Sequence, residues 1–370
     1  MQYKIFVVIA FSFATLHITA QKRSENIVVV TLDGMRWQDV FTGADSLLTY
    51  DTMATYSEKY VQENFWAASG AERRKKLMPF IWSEISAKGI ILGNRAYGNY
   101  INTANPHWFS YPGYNEIITG FPDTTVNSND KNLNKNENVF ELMNRLPAFK
   151  GKTAVFGSWD LFSYMFNEKR SGVYVNDGFK KVEGKLSKRQ SMLNELQSEM
   201  PDLFHGAERL DVATFYLGLD YMKLNKPRLM YFGLGDTDEF AHAGDYDSYL
   251  DAARKADKWI SQLWQYIQSE PFYANKTTLL ITTDHGRGQA SGANWRHHGK
   301  GTPGSGEIWF AAIGPSVPAS GEVKTKAQNF QGQIAATIAA MLGQSFNPTH
   351  KPMAPLSFRP GAASGEIPNR

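Results

Sequence analysis

The sequence predicts an α/β fold with a mostly parallel central sheet, helices on both faces, and a metal site at the carboxyl ends of the strands. Short apolar runs alternate with segments of helical spacing, which is typical of this class. Three runs end in aspartate: IVVVTLD (27–33), LMYFGLGDTD (229–238) and TTLLITTDHG (277–286). Because ligands of open α/β sheets bind beyond the carboxyl ends of strands, these three runs predict one shared site.

Composition bounds the function. The 370 residues are 42% hydrophobic and 20% charged, which are globular values, and the net charge of +3 does not predict a nucleic-acid-binding patch. No cysteine is present, so thiolate nucleophiles, thiolate metal ligands and disulfides are excluded. We expect one large domain rather than a chain of modules.

The first residues resemble an export signal. A lysine precedes an apolar run (5–13), and a small residue follows at Ala20, so a signal peptide (1–20) cut near Ala20–Gln21 is predicted. The run is too short to cross a bilayer, and we expect a periplasmic or secreted protein without a membrane span. Residues 21–358 would form the catalytic domain, with a possible lid within 160–210, and 359–370 a loose tail.

The remaining elements follow from apolar spacing and from proline and glycine. Pro79 and Pro112 each suit the first turn of a helix, and Gly314-Pro315 suits a strand end. Aromatic residues within 99–111 predict an active-site loop, and an Asn-rich loop is predicted at 123–138. Predicted helices cover 46–64, 77–86, 113–119, 138–145, 187–199, 210–223, 248–267 and 328–342, and further strands cover 89–92, 153–157 and 307–313.

Carboxylates and imidazoles gather in the last third of the chain. Asp238 and His242 are spaced i, i+4 and would share one face of a helix. Asp284-His285 ends the third strand, and His297-His298 follows within one loop. Oxygen and nitrogen ligands without sulfur suit catalytic zinc, with manganese or iron as alternatives, and with Asp33 there are enough ligands for two metals.

Ser110 adds a candidate nucleophile. It precedes a predicted helix whose free N–H groups and dipole favour an anion. A serine hydroxyl needs a base or a metal to become nucleophilic, and a second metal can hold the leaving oxygen. A plain helix cap is the alternative for Ser110, and a strand-end turn is the alternative for each aspartate. Asp236 and His297 compete with Asp238 and His298.

Together these motifs resemble the alkaline phosphatase superfamily, and within it the nucleotide pyrophosphatase/phosphodiesterase branch. The resemblance covers most of the chain after the predicted signal peptide. Five motifs in the family's order carry it: Asp33-Gly34-Met35-Arg36, Ser110-Tyr111-Pro112 leading to Ile117-Ile118-Thr119-Gly120, Asp238 with His242, Asp284-His285-Gly286, and His298-Gly299.

The resemblance implies a ligand set. One zinc would be held by Asp238, His242 and His298. The other would be held by Asp33, Asp284, His285 and the Ser110 oxygen. Asn129, or alternatively Asn127, would hold a phosphate oxygen together with the Ser110 N–H. The substrate would be a small phosphate ester, and Ser110 would carry a phosphoserine intermediate.

Two features depart from the branch: serine stands where the branch has threonine, and the loop leading to the phosphate-binding Asn is shorter. Some monoesterases of the superfamily hold the extra phosphate charge with a Lys-x-Arg pair. No such pair occurs around Ser158-Trp159-Asp160, which resembles the diesterase side more. Substitutes for that pair would be Lys169, Arg170, Arg287 or Lys300.

These expectations favour an exported two-zinc phosphatase, with a phosphodiesterase or nucleotide pyrophosphatase using the same site as the alternative. A sulfatase is disfavoured because Ser110-Tyr111-Pro112-Gly113-Tyr114 lacks the arginine of its C/S-x-P-x-R motif. A phosphoglycerate mutase is disfavoured because its cytosolic substrate conflicts with a signal peptide. From another class, a non-catalytic exported protein that binds metal or a phosphorylated ligand remains an alternative.

Overall fold

Eleven strands form two sheets in the computed structural model, which describes residues 23–204, 208–289 and 292–358. The predicted signal peptide (1–20) and the whole predicted tail (359–370) lie outside these residues. In chain order the strands are β1 (Asn26–Leu32), β2 (Ile90–Leu92), β3 (Asn99–Asn102), β4 (Thr153–Gly157), β5 (Tyr174–Asp177), β6 (Leu229–Leu234), β7 (Thr277–Thr282), β8 (Glu307–Ile308), β9 (Phe310–Ile313), β10 (Gly321–Glu322) and β11 (Ala327–Phe330).

The main sheet has eight strands in the order β10-β2-β9-β7-β1-β6-β4-β5. Neighbouring strands of this sheet run parallel to each other, except that β9 is antiparallel to both β2 and β7. A smaller sheet pairs β11, β3 and β8. In the main sheet β1 lies between β7 and β6, and its Thr31 is level with Thr282 and Gly233. The predicted fold class is therefore confirmed, and the three strands that precede the aspartates are direct neighbours.

Helices cover both faces of the main sheet. Alternate residues of β1 enter two different cores: Val28 and Val30 pack on one face, and Ile27 and Val29 on the other. This two-sided burial explains why the strands read as continuous apolar runs. The helices are α1 (Trp37–Thr42), α2 (Ser46–Thr49), α3 (Glu58–Asn64), α4 (Gly70–Leu77), α5 (Ser86–Lys88), α6 (Ser110–Thr119), α7 (Val139–Arg145), α8 (Phe162–Met165), α9 (Glu168–Ser171), α10 (Lys188–Glu199), α11 (Asp211–Asn225), α12 (Asp236–Ala243), α13 (Tyr246–Ser269) and α14 (Gln333–Met341).

Several predicted helices and strands have different bounds in the structure, and two of them are each split into two elements. The single helix predicted at 46–64 is α2 and α3, because the Asp247 carboxylate accepts the N–H groups of Tyr56 and Ser57 at 3.1 and 2.7 Å and holds the intervening turn. The predicted strand 307–313 is split between the two sheets as β8 and β9. The helix predicted from 328 begins only at 333, since 327–330 pair with β3.

Three further strands were not predicted. The segment expected to be an aromatic loop begins with β3. The strands β5 and β10 form the two edges of the main sheet, and β5 lies within the stretch assigned to a possible lid. A lid within 160–210 stays a prediction. Within the three described ranges, no helix is both long enough and apolar enough to cross a membrane.

Candidate active site

The carboxyl ends of β7, β1 and β6 meet at one edge of the main sheet. Asp33 follows β1 directly, Asp284 comes two residues after β7, and Asp238 lies in the first turn of α12 beyond β6. All three aspartates are buried. The parallel register brings together side chains that are far apart in the sequence.

Asp33, Asp284 and His285 form what we call the deep cluster. Their ligand atoms all lie within 4.8 Å of one another. The His285 Nε2 atom is 3.2 Å from the Asp33 Oδ1 atom and 3.5 Å from the Asp284 Oδ2 atom. The other ring nitrogen, Nδ1, lies 2.8 Å from the Gly286 carbonyl oxygen, which assigns the proton to Nδ1. The lone pair on Nε2 therefore faces the two carboxylates, as in a metal-ligating histidine.

Burial leaves two of these oxygens without donors. Among the described residues, neither Asp33 Oδ1 nor Asp284 Oδ2 has a hydrogen-bond partner. Burial, followed by repulsion from Asp238, raises the pKa of Asp33 well above its usual range. Burial and repulsion from Asp33 do the same to the pKa of Asp284. Buried oxygens that lack donors and repel one another fit a bound cation.

Asp238, His242 and His298 form a second group, the outer cluster. The Nε2 atoms of His242 and His298 are 2.9 Å apart, and His242 Nε2 is 3.1 Å from Asp238 Oδ2. The His242 side chain is 41% exposed, so this cluster opens towards solvent. Burial, with repulsion from His285, lowers the pKa of His298 to about 2 and keeps the imidazole in the neutral form that binds metals.

Ser110 is the first residue of α6 and is buried beside the deep cluster. Its Oγ atom lies 3.4 Å from His285 Nε2. The approach of α6 to the end of β7 depends on Gly113, where a Cβ atom would stand 2.3 Å from the Asp284 carbonyl oxygen. The start of α6 therefore places the Ser110 hydroxyl, together with the Ser110 N–H, beside the deep cluster.

The structure separates several alternatives that the sequence left open. The Asn129 Oδ1 atom accepts the Tyr111 N–H at 3.0 Å, next to Ser110, whereas Asn127 lines a cavity of about 450 Å³ within its own loop. The His297 side chain is exposed, and it is His298 that faces Asp238. The Asp236 carboxylate accepts the Asp211 N–H at 3.0 Å instead of joining the outer cluster.

Two supporting residues escaped the sequence reasoning. The Tyr114 hydroxyl donates to Asp33 Oδ2 at 2.9 Å. Tyr114 is one helical turn after Ser110 on the same face, a spacing that was visible in the sequence. Gln331 Nε2 donates to the Asp284 carbonyl oxygen at 2.6 Å, and no sequence signal connects these two positions.

Arg287 connects the segments that carry the outer cluster. Its buried guanidinium donates to Asp238 Oδ1, to the Asp238 carbonyl oxygen at 3.0 Å, and to the Arg296 carbonyl oxygen at 2.6 Å. Burial would raise the pKa of Asp238, but the charge of the adjacent Arg287 outweighs it and holds that pKa well below its usual range. Gly34 leaves room for this contact, because a Cβ there would lie 2.8 Å from Arg287 Nε.

A comparison with family models decides the chain's membership. Residues 49–300 match the model of type I phosphodiesterase / nucleotide pyrophosphatase, which is more than half of the chain. The chain belongs to the type I phosphodiesterase/nucleotide pyrophosphatase family. The predicted resemblance to this family is confirmed, and this phosphodiesterase-family protein is a phosphoric ester hydrolase.

Solved structures share the fold at low sequence identity. Wild-type alkaline phosphatase PafA is 10% identical, with a TM-score of 0.58, covering 92% of this chain and 99% of that one. Ps i-CgsB in complex with k-i-k-neocarrahexaose is 14% identical, with a TM-score of 0.54, covering 88% and 73%. Phosphonate monoester hydrolase SpPMH from Silicibacter pomeroyi is 13% identical, with a TM-score of 0.50, covering 87% and 74%. No curated protein matches the phosphodiesterase-family chain.

Proposed function

We propose that this protein hydrolyses phosphate esters through attack of Ser110 Oγ on phosphorus, assisted by two divalent metals. The observation that carries the proposal is the convergence of the Ser110 hydroxyl, two donorless carboxylate oxygens and three imidazole nitrogens at one sheet edge. Asp33, Asp284 and His285 would hold one metal with the Ser110 oxygen, and Asp238, His242 and His298 the other. This donor set suits zinc, with manganese or iron as alternatives.

The metals would supply the charge that makes Ser110 nucleophilic and that stabilises the departing oxygen. Groups of the protein itself would bind and orient the phosphate. The Ser110 N–H at the start of α6 would donate to a phosphate oxygen, and Asn129, oriented by its bond to the Tyr111 N–H, would offer its amide donor beside it. The Ser110 oxygen bonds to phosphorus as the alcohol leaves, and water then cleaves the phosphoserine and frees Ser110.

Two substrate classes fit this site. Serine at position 110 favours monoesters, as in the alkaline phosphatases proper. The family match favours phosphodiesters and pyrophosphates instead. Both classes need the same nucleophile and the same two clusters, so substrate preference is a separate question from mechanism.

The test compares initial rates on an aryl phosphate monoester, the matching diester and the matching sulfate ester, with zinc-loaded protein and a Ser110→Ala variant. We expect turnover of a phosphate ester, about two metals per chain in both proteins, and loss of turnover in the variant. Equal inactivity of both proteins with metals bound would contradict hydrolysis and favour a non-catalytic metal- or phosphate-binding protein.

We also propose export to the periplasm or the medium. The charged start, the apolar run and Ala20 support a signal peptide. Amino-terminal sequencing of the protein recovered outside the cytoplasm should begin near Gln21. A start at Met1 in that fraction would contradict cleavage there.

A further inference from the structure

An ion pair lies at the border of the phosphate subsite and has no role in the mechanism above. The Lys131 ammonium contacts the Asp160 carboxylate. The side chains are 52% and 23% exposed, so the pair borders solvent. It joins two segments that are 29 residues apart: the Asn-rich loop and the turn after β4.

The loop side of this pair is fixed next to Ser110. Asn129 bonds to the Tyr111 N–H at 3.0 Å, and the Tyr111 hydroxyl donates to the Asn132 carbonyl oxygen at 2.5 Å. Lys131 therefore lies between two residues that are both tied to the chain neighbour of Ser110. Lys131 is thus two residues along this loop from Asn129, the residue whose amide would hold a phosphate oxygen.

The other side of the pair belongs to the same sheet edge. Asp160 comes three residues after β4, which is the parallel neighbour of β6. The preceding residue, Trp159, is bridged to Glu208, whose buried carboxylate packs against Gly235 at the start of α12, where a Cβ atom would overlap Glu208 Oε1. Both partners of the pair thus belong to segments that contact the site, one through the Asn129–Tyr111 bond and the other through the Trp159–Glu208 bridge.

Two of the four cations predicted as substitutes for this subsite have other partners. Arg170 binds Glu141 at 2.8 Å and three carbonyl groups of residues 134–136. Arg287 is paired with Asp238. Lys131 lies two residues from Asn129 in the same loop, and the Asp160 carboxylate neutralises it.

We propose that the Lys131–Asp160 pair determines the charge preference of the phosphate subsite. A monoester phosphate carries a second negative charge near neutral pH, whereas a diester carries one. A lysine alone would attract the second charge, but the paired Asp160 cancels that attraction, so the subsite favours the singly charged diester group. The inference rests on the proposed function and identifies a specificity-determining pair within it.

The experiment measures the ratio of kcat/KM for an aryl phosphate monoester to that for the matching diester. The zinc-loaded proteins are the wild type, Asp160→Asn, Lys131→Gln and the double variant. Asp160→Asn leaves an unpaired positive charge, and we expect the ratio to rise about tenfold, the order expected for one unit charge near a surface site. Lys131→Gln should lower the ratio to a similar extent, and the double variant should return it to near the wild-type value.

A matched control is available at the opposite end of the sheet. Lys226 and Glu270 form an ion pair of 2.6 Å and similar exposure, and they lie before β6 and β7 rather than after them. Glu270→Gln should leave the ratio unchanged. High salt should reduce the shifts of the two single variants, because exposed charges are screened.

The charge mechanism and a merely structural role give different patterns. If the pair only holds the loop in place, both single variants break the same contact and shift the ratio in the same direction. That pattern, or an unchanged ratio in Asp160→Asn, would overturn the inference while leaving the phosphoester hydrolase proposal intact. A wild-type protein inactive on both esters would overturn the proposed function, and this inference with it.

Discussion

Glu116 and Asp284 are both fully buried carboxylates, but the chain treats them in opposite ways. Glu116 accepts N–H groups from the backbone of Ala104, Asn105 and Gly332, and also from the Asn105 side chain. Asp284 accepts the Gly34 N–H on one oxygen, while its other oxygen has no partner among the described residues. A buried charge that the protein satisfies with donors stabilises the fold, whereas one left without donors prepares a place for a cation.

The largest expected effect comes from removing the charge at Asp284. Asp284→Asn should lower turnover by roughly a thousandfold, because metal assistance is worth several kcal/mol. It should also leave the metal-free protein as stable as the wild type or more so, since a buried carboxylate crowded by Asp33 is removed. Rates on the preferred ester and urea denaturation with chelator present measure the two effects.

The matched control is Glu116→Gln, a change of the same kind at equal burial. It should keep both metals and most of the activity. The contrast between the two carboxylates would fail if Asp284→Asn destabilised the metal-free protein as much as Glu116→Gln does.

Asp238 is intermediate between Glu116 and Asp284, because Arg287 contacts one of its oxygens and His242 lies near the other. Arg287→Lys keeps the charge but loses the forked contact with Asp238 and Arg296. We expect metal affinity at the outer cluster to fall about 10- to 100-fold, the usual cost of losing a group that orients a ligand. Calorimetric zinc titration should show one weakened site and one unchanged site. Equal weakening of both sites would mean that Arg287 supports the whole sheet edge.

The sequence was most informative where strands end. Asp33, Asp238, Asp284 and His285 were identifiable because strands buried on both faces leave long apolar runs, and the polar residues after them stand out. The same runs predicted the mostly parallel sheet but not its eight strands. Short edge strands such as β5 and β10 lack that signal, and the helix predicted from 328 overlaps β11, where pairing with β3 outweighs local preference.

Contacts across the chain could not be predicted in the same way. Arg287 was one of four cations without a distinguishing signal, and its partner Asp238 is 49 residues away. No sequence signal connects Lys131 with the site, because its loop is held there by two bonds to Tyr111, one from Asn129 and one from Asn132. The choice of His298 over His297 depended on which ring a loop turns inwards, and loops have no periodicity that reveals this.

The pH dependence of the unfolding free energy tests the same comparison at a third buried carboxylate, Asp257. Among the described residues, this buried carboxylate of α13 accepts two N–H groups, from Phe80 and Ile81 at 2.8 and 3.0 Å, and burial raises its pKa to about 7. Because the folded pKa is raised, its contribution to stability is full below the unfolded value near 4 and is lost as pH rises through about 7. We expect a loss of about 2 kcal/mol between pH 5 and 7.

Asp257→Asn supplies the reference for that measurement. Its side chain does not titrate, so subtracting its urea-unfolding free energy from that of the wild type at each pH isolates Asp257 from the site carboxylates. A difference that stays flat from pH 5 to 7 would show that two N–H donors already satisfy the charge.

Glu116→Gln should give the smallest effect. It tests Glu116 directly, the buried carboxylate whose oxygens all have donors in the comparison with Asp284. A glutamine oxygen can accept part of the donor set, but its amide group faces N–H groups that previously met a carboxylate. We expect a loss of about 1–2 kcal/mol in unfolding free energy, the cost of leaving a buried donor unpaired. Since Glu116 holds the loop before Ser110 without touching the clusters, zinc stoichiometry should stay at the wild-type value. Loss of a metal in this variant would mean that the loop fixes the ligands as well as the fold, and the division between structural and metal-binding carboxylates would not hold.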